Sequence, residues 1–142
     1  MERTRDDGYC VSDDIDRLDR EWVWRWLAEE SYWAGGRPRA TMERAIDGSL
    51  CWGLYAPDGT QAGFCRLVTD RATFAFLSDV FVDVAHRAGG VGTFMVETAL
   101  QHPDLATVSR HALVTLDAHG LYEKFGYRRP GDDDHAIWMV RP

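Results

Sequence analysis

A glycine-rich stretch that follows an apolar strand is the part of the sequence best suited to bind a ligand. It runs from Arg87 to Thr93 and contains Gly89, Gly90 and Gly92. Because glycine has no Cβ, its backbone N–H groups can approach phosphate oxygens closely. The helix predicted to follow adds free N–H groups and a dipole that favour negative charge. The stretch therefore predicts a phosphate-binding loop, and the alternative is a tight turn between a strand and a helix.

Two widespread phosphate-binding loops do not fit this stretch. A Walker loop needs Gly-Lys-Ser/Thr, whereas Gly92 is followed by Thr93 and no lysine precedes it. A dinucleotide-binding fingerprint needs a third glycine at a position where this chain has Met95. The remaining expectation is a phosphate-bearing ligand of another kind.

A tyrosine further along the chain is the best candidate proton donor. We expect a strand to end at Asp117, which would cap a short helix with Leu121 and Phe125 on one face and Gly126 at its end. Tyr122 directly follows Leu121 and therefore lies beside that apolar pair on the surface of the predicted helix. An ordinary phenol, with a pKa of about 10, stays protonated at neutral pH and can therefore act as an acid. Simple packing is the alternative role.

Together, the two segments resemble the GNAT superfamily of N-acetyltransferases. The coenzyme A loop of that family reads Arg/Gln-x-x-Gly-x-Gly/Ala, and its late helix reads approximately Leu-Tyr-x-x-Phe-Gly-Phe/Tyr. The matching residues here are Arg87, Gly90, Gly92, Leu121, Tyr122, Phe125, Gly126 and Tyr127. The resemblance extends over nearly the whole chain and is strongest to an uncharacterised bacterial subgroup. It implies acetyl-CoA as the cofactor and says less about the substrate.

The elements that must position these residues are predicted to form one α+β domain over residues 1–142. We expect a GNAT-like mixed, mostly antiparallel central sheet, flanked by helices, with a β-α-β unit that binds coenzyme A. The predicted strands before the loop are Tyr9–Ser12, Leu50–Ala56, Thr60–Thr69 and Ala72–Asp83, and the predicted helices are about Ile15–Tyr32 and Arg39–Asp47. A further helix should follow the glycine loop, and a last strand should follow a solvated turn at Asp132–Asp134. That turn lacks the spread ligands of a calcium loop.

The resemblance also implies how coenzyme A would be held. In the family, the pantetheine arm adds to the strand before the loop through main-chain groups, which here belong to Val80 and Val82. The implied cofactor-binding residues are Val80, Phe81, Val82, Arg87, Ala88, Gly89, Gly90, Val91, Gly92, Thr93, Asp117, Tyr122 and Lys124. The Val80 N–H becomes the expected oxyanion donor and Tyr122 the expected acid. Asp117 stands where many members have Asn, so an ionised Asp117 could accept a hydrogen bond but not donate one.

No general base is evident from the strand before the loop. Strict alternation puts Phe76, Ser78, Val80 and Val82 on one face, and Asp79 on the other unless a bulge shifts the register. The usual base positions of the family fall on Phe76 and Ser78, and neither side chain can take a proton. We favour proton removal through water, with Ser78 as an anchor for that water and the enzyme mainly positioning the reactants.

The resemblance places the acceptor site against the amino-terminal helices. The expected substrate-binding residues are Glu30, Tyr32, Trp33 and Phe76, and Glu30 is an alternative base, directly or through water. Packing is the alternative role for Tyr32 and Trp33. The favoured function is acetylation of a small-molecule primary amine. Acetylation of a protein amine and a non-catalytic acyl-CoA-binding module are the alternatives.

The composition limits the classes of binding partner and the cellular compartment that we expect. The net charge of −7 opposes attraction to nucleic acid or to an anionic membrane, and a cationic amine would suit such a surface. The chain carries no apolar stretch long enough to span a membrane and begins with charged residues, so we expect a cytoplasmic monomer or homodimer. The 3 cysteines and 5 histidines lack ligand spacing. Reduced thiols and no metal are therefore expected.

Overall fold

The strands of the protein form one sheet in chain order. The computed structural model describes residues 1–135 and 138–141. The strands within these residues are β1 (Glu2–Thr4), β2 (Cys10–Ser12), β3 (Leu50–Tyr55), β4 (Gln61–Thr69), β5 (Phe74–Val82) and β6 (Arg110–Leu113). Neighbours pair antiparallel, except that β5 and β6 are parallel. The predicted mixed, mostly antiparallel sheet is confirmed, and β1 is a strand that the sequence did not predict.

The helices cover the two faces of this sheet. They are α1 (Arg20–Glu30), α2 (Arg39–Asp47), α3 (Val91–Leu100), α4 (His119–Glu123) and the short α5 (Asp132–His135). One apolar cluster joins α1 and α2 to residues such as Phe64 and Phe81, and the other joins α3 to residues such as Cys65 and Leu77. Because neighbouring residues of a strand point to opposite faces, the two clusters lie on opposite sides of the sheet.

The first predicted helix is shorter than expected. Ile15–Arg17 forms a separate 3₁₀ turn, and α1 begins only after Asp19, whose carboxylate accepts a hydrogen bond from the Trp22 N–H at 2.9 Å. The helix ends at Glu30, so Tyr32 lies in the loop between α1 and α2. The prediction of α2 over Arg39–Asp47 is confirmed.

A β-bulge in β5 breaks the predicted alternation. Phe81 pairs with Phe64 and Ser78 pairs with Arg66, so Asp79 and Val80 together oppose the one intervening residue of β4. Asp79 has a φ of 50°. Val80 and Val82 pack against the α3 cluster, whereas Asp79 contacts side chains of the α1–α2 face. Strict alternation was therefore wrong here, because the extra residue of a bulge turns the strand over.

Several of the carboxyl-terminal predictions need correction. β6 ends at Leu113 rather than at Asp117, and the N-cap of α4 is Ala118, with no side-chain capping bond from Asp117. Asp132–His135 is a short helix, not a turn. No strand is present in residues 138–141, and Ala136, Ile137 and Pro142 lie outside the described residues. No helix in the described ranges is both long and apolar enough to cross a bilayer.

Candidate active site

The glycine loop carries the backbone conformation that its sequence requires. A 3₁₀ turn over Val84–His86 follows β5, and α3 begins directly after Gly90. Gly89 and Gly90 have φ values of 62° and 75°, in the left-handed region that favours glycine. No atom lies within 4 Å of a Cβ built on Gly90. The loop is exposed and leaves open space beside its backbone.

The backbone N–H groups of this loop are available to bind an anion. The first hydrogen bond of α3 runs from the Phe94 N–H to the Gly90 carbonyl at 3.0 Å. Within the described residues, the N–H groups of residues 89–93 meet no acceptor. A run of free N–H groups at the beginning of a helix is well suited to bind a pyrophosphate. The loop thus fits the diphosphate part of coenzyme A.

Two arginines hold the loop, and the sequence indicated only one of them. The Nε of Arg87 donates to the Val82 carbonyl at 2.9 Å and ties the exposed loop to the end of β5. The Nη1 of Arg5 donates to the Gly89 carbonyl at 2.8 Å. Arg5 comes from the segment after β1, and no local pattern in the sequence connects it to the loop. Lys124 is exposed at the end of α4.

Tyr122 is placed as a protonated phenol. It lies in α4, is 8% exposed and belongs to the α3 cluster. Burial raises the pKa of its hydroxyl to about 12, so the group is protonated at neutral pH. Its hydroxyl forms no hydrogen bond with the described residues. The negative charges that Cys65, Tyr127, Tyr32 and Asp117 can carry act in the same direction on this pKa.

The predicted acceptor residues differ in their surroundings. The Tyr32 hydroxyl accepts a hydrogen bond from the Leu116 N–H at 3.4 Å, which joins the α1–α2 loop to the segment before α4. The Tyr32 and Trp33 rings meet edge to face at 5.0 Å. Phe76 is half-buried in β5 before the bulge. Glu30 is exposed and forms no hydrogen bond or ion pair with any described residue.

Asp79 is a buried carboxylate held by two arginines and a tryptophan. It is 4% exposed; its Oδ2 accepts from Arg37 at 2.6 Å and from Arg66 at 2.7 Å, and its Oδ1 accepts from Trp33 at 3.0 Å. Burial acts to raise the pKa of this carboxyl, but the hydrogen bond from Arg37 and the charge of Arg66 outweigh it, so the pKa is lowered. Asp79 is therefore ionised with both oxygens occupied, and it is unsuited to accept a proton.

The bulge brings Asp79 to the same face as Ser78. The Oγ of Ser78 accepts from the Nη2 of Arg66 at 3.2 Å, while Nη1 of the same arginine donates to Ser49 at 3.1 Å. A serine hydroxyl that accepts one bond still has a proton to donate. Ser78 can thus orient a water molecule beside Asp79. The network of Asp79, Arg66 and Arg37 was not predicted, because its residues come from three separate elements.

Comparison with known proteins fits this geometry. A family profile described as "Acetyltransferase (GNAT) domain" matches residues 47–129. The chain belongs to the GNAT acetyltransferase family. A Gibberella zeae protein that carries an acetyltransferase name is 33% identical over 85% of this chain and 78% of its own length. The resemblance stated from the sequence is therefore confirmed, and the protein is an N-acetyltransferase of a family that uses acetyl-CoA.

Solved structures extend the GNAT comparison to the whole fold. A GNAT-family protein of Xanthomonas campestris pv. campestris is 39% identical with a TM-score of 0.86, over 94% of this chain and 93% of that one. The glucosamine-6-phosphate N-acetyltransferase of Arabidopsis thaliana has a TM-score of 0.64 at 15% identity, over 94% of this chain and 97% of its own. The second likeness shows the fold alone.

The remaining chemistry-bearing side chains do not form a metal site. Cys10, Cys51 and Cys65 are buried free thiols, and burial raises the pKa of Cys51 to about 12. Across the described part of the chain, no three His, Cys, Asp or Glu side chains converge as ligands.

Proposed function

We propose that this GNAT protein transfers the acetyl group of acetyl-CoA directly to the primary amine of a small molecule. The observation that carries the proposal is that the two parallel strands, β5 and β6, pair over only part of the length of β5. β5 and β6 pair only from Phe74–Leu77 to Arg110–Leu113. Within the described residues, positions 78–82 of β5 therefore have no strand beside them on that edge. Unpaired main-chain groups at such an edge can bind an extended chain, as the pantetheine arm of acetyl-CoA would be.

The rest of acetyl-CoA fits at the two ends of this open edge. The strand leads directly into the glycine loop, where the free N–H groups of residues 89–93 would hold the pyrophosphate. Tyr122, from α4, is the acid that we assign to the other end of the pantetheine arm. The Val80 N–H, in the bulge, is the group that we assign to stabilise the oxyanion. Donors fixed in advance where charge develops can contribute strongly to catalysis.

The assigned groups account for every bond and proton that changes in the reaction. The amine nitrogen forms a bond to the carbonyl carbon while the C–S bond breaks, and the sulfur leaves with the electron pair. Tyr122 gives its proton to that thiolate and is reprotonated from solvent. The proton lost by the amine leaves through water held by Ser78, because Asp79 is already bound to Arg37 and Arg66. Glu30 is the alternative acceptor for that proton.

The test is turnover with a panel of amines. The purified protein is incubated with acetyl-CoA and small amines, and both the released thiol and the acetylated product are measured, the latter by mass spectrometry. We expect equimolar CoA and acetylated amine for at least one small amine. Acetylation of peptide amines only would overturn the small-molecule assignment. Binding of acetyl-CoA without turnover on any amine or peptide would favour an acyl-CoA-binding module.

A further inference from the structure

The charge beside the bulge is opposite to the charge of the whole chain. The chain carries a net charge of −7. On the α1–α2 face of the bulge, however, the single carboxylate of Asp79 pairs with both Arg37 and Arg66. These three side chains leave one positive charge in excess. Charge is felt more strongly in a partly buried site than in water, so this local excess matters more to a bound substrate than the distant acidic surface.

The two arginines differ in how fully their hydrogen bonds are satisfied. Arg66 is 11% exposed and uses all three of its nitrogens on Asp79, Ser49 and Ser78. Arg37 is 21% exposed and uses only Nη1, on Asp79 and the Met42 sulfur. Its Nε–H and Nη2–H groups, which lie along one side of the guanidinium, have no acceptor among the described residues. That free side is therefore available to a ligand.

The position of Arg37 makes such a ligand relevant to acetyl transfer. Its Nη1 lies 2.6 Å from Asp79, and Asp79 directly precedes Val80, the proposed oxyanion donor. Trp33 reaches the same carboxylate from the α1–α2 loop. Arg37 and Trp33, a predicted acceptor residue, thus meet at the carboxylate next to the proposed oxyanion donor. One side of a guanidinium matches the two oxygens of a carboxylate or a phosphate.

From these contacts we infer that the acceptor amine carries a negatively charged group, a carboxylate or a phosphate, and that Arg37 binds it. The inference rests on the proposed function and names the class of its substrate. The anionic group takes no part in the bond changes; it fixes the amine in front of the thioester. This replaces the cationic amine that the overall charge of the chain favoured.

The first test uses the unaltered protein and matched pairs of amines. The pairs are 4-aminobutanoate with 4-aminobutanamide and O-phosphoethanolamine with ethanolamine, with a diamine as the cationic probe. We expect kcat/KM to be roughly ten- to hundredfold higher for the anionic member of at least one pair, as expected for a hydrogen-bonded charge. The pair that shows the preference distinguishes carboxylate from phosphate. Equal or faster turnover of the neutral and cationic members would overturn the inference.

The second test uses Arg37→Gln, with Arg39→Gln as its control. Arg39 lies two residues away but is 52% exposed, and within the described residues it forms ion pairs with Glu21 and Glu43 rather than with Asp79. We expect Arg37→Gln to raise KM for the anionic amine by a much larger factor than for its neutral counterpart, Arg37→Lys to recover part of that difference, and Arg39→Gln to leave the ratio between the two amines unchanged. An equal loss for both members of a pair would make Arg37 structural and overturn the inference.

Failure of the inference and failure of the proposed function have different signatures. If acetyl-CoA does not raise the unfolding temperature of the unaltered protein, the proposed function fails, and the inference fails with it. If acetyl-CoA binds and amines are acetylated without preference for an anionic group, the inference alone fails. Unfolding temperatures of both arginine variants, with and without acetyl-CoA, identify any variant that does not fold. If a variant does not fold, the matched amine pairs on the unaltered protein decide whether the inference holds.

Discussion

The glycine loop and the α1–α2 face of the bulge differ in how they are built. The loop is contiguous: its glycines, its left-handed turn and the first turn of α3 lie within a few residues of one another. The α1–α2 face is assembled from a distance, since Arg37, Arg66 and Asp79 belong to a loop and two strands. The first kind of site is fixed by local conformation, and the second by burial and charge pairing. Changes to the two should therefore have different effects.

The largest expected effect is on catalysis and comes from Tyr122, which lies outside both regions. Tyr122→Phe should lower kcat by about 10²–10⁴-fold, the usual contribution of general acid catalysis, while KM for acetyl-CoA changes little. The ring packing is retained and only the hydroxyl is lost. The loss should shrink with an acyl donor whose thiolate leaves readily. Steady-state kinetics with two such donors check this, and equal losses for both would make the role of Tyr122 positional.

A large effect on stability is expected on the α1–α2 face. Asp79→Asn leaves Arg37 and Arg66 without a neutralising charge, and breaking a buried pair in this way costs about 3–5 kcal/mol. Asp104→Asn is the control, because its pair with Arg71 is exposed and worth about 0–1 kcal/mol. Urea unfolding measures both. A cost for Asp79→Asn no larger than the control would show that the ion pairs do not hold the bulge.

The same carboxylate predicts the direction of a pH effect. The folded-state pKa of Asp79 is lower than its ordinary value of 3.8. Its contribution to the free energy of unfolding is therefore fully present above 3.8 and is lost as the pH falls through the folded-state pKa. The free energy of unfolding of the unaltered protein should approach that of Asp79→Asn in acid. A difference between the two that is constant down to the lowest pH would contradict this.

A smaller effect is expected on ligand binding at the loop. Gly90→Ala and Gly59→Ala are a matched pair, since their φ values are 75° and 86° and neither Cβ would meet an atom within 4 Å. The two substitutions should lower the free energy of unfolding by similar amounts through backbone strain, but only Gly90 lies where the pyrophosphate is proposed to bind. We expect roughly tenfold weaker CoA binding for Gly90→Ala alone, the value of one charge-assisted hydrogen bond. Calorimetry with equal affinities for both would make the loop a structural turn.

The smallest expected effect comes from Arg5. Its hydrogen bond to the Gly89 carbonyl steadies the loop from outside, and a surface contact of this kind is worth about 1 kcal/mol, or about fivefold in affinity. Arg5→Met should weaken CoA binding by that amount, less so at high salt. A control is Arg3→Met, because Arg3 pairs with Glu97 instead. Equal losses for the two would indicate a general charge effect.

These two regions also explain how far the sequence could predict the molecule. Short sequence patterns predicted the glycine loop, α2 and the glycine that follows α4, Gly126, because each of these features depends on neighbours along the chain. The bulge at Asp79 did not follow, since β5 reads as an ordinary alternating strand until the pairing with Arg66 and Phe64 is known. Arg5, Arg37 and Arg66 were missed for the same reason. Asp117 was predicted to cap α4, but the N-cap of this helix is the next residue, Ala118.

The most direct test of the account is the thermal stability of the protein with acetyl-CoA. A ligand that binds only the folded state stabilises it by about 2.7 kcal/mol at a hundredfold excess over its dissociation constant. We predict a clear rise in unfolding temperature with acetyl-CoA, and a much smaller rise with ATP or NAD at the same concentration. No rise at millimolar acetyl-CoA would contradict the assignment of the glycine loop and of the open edge of β5.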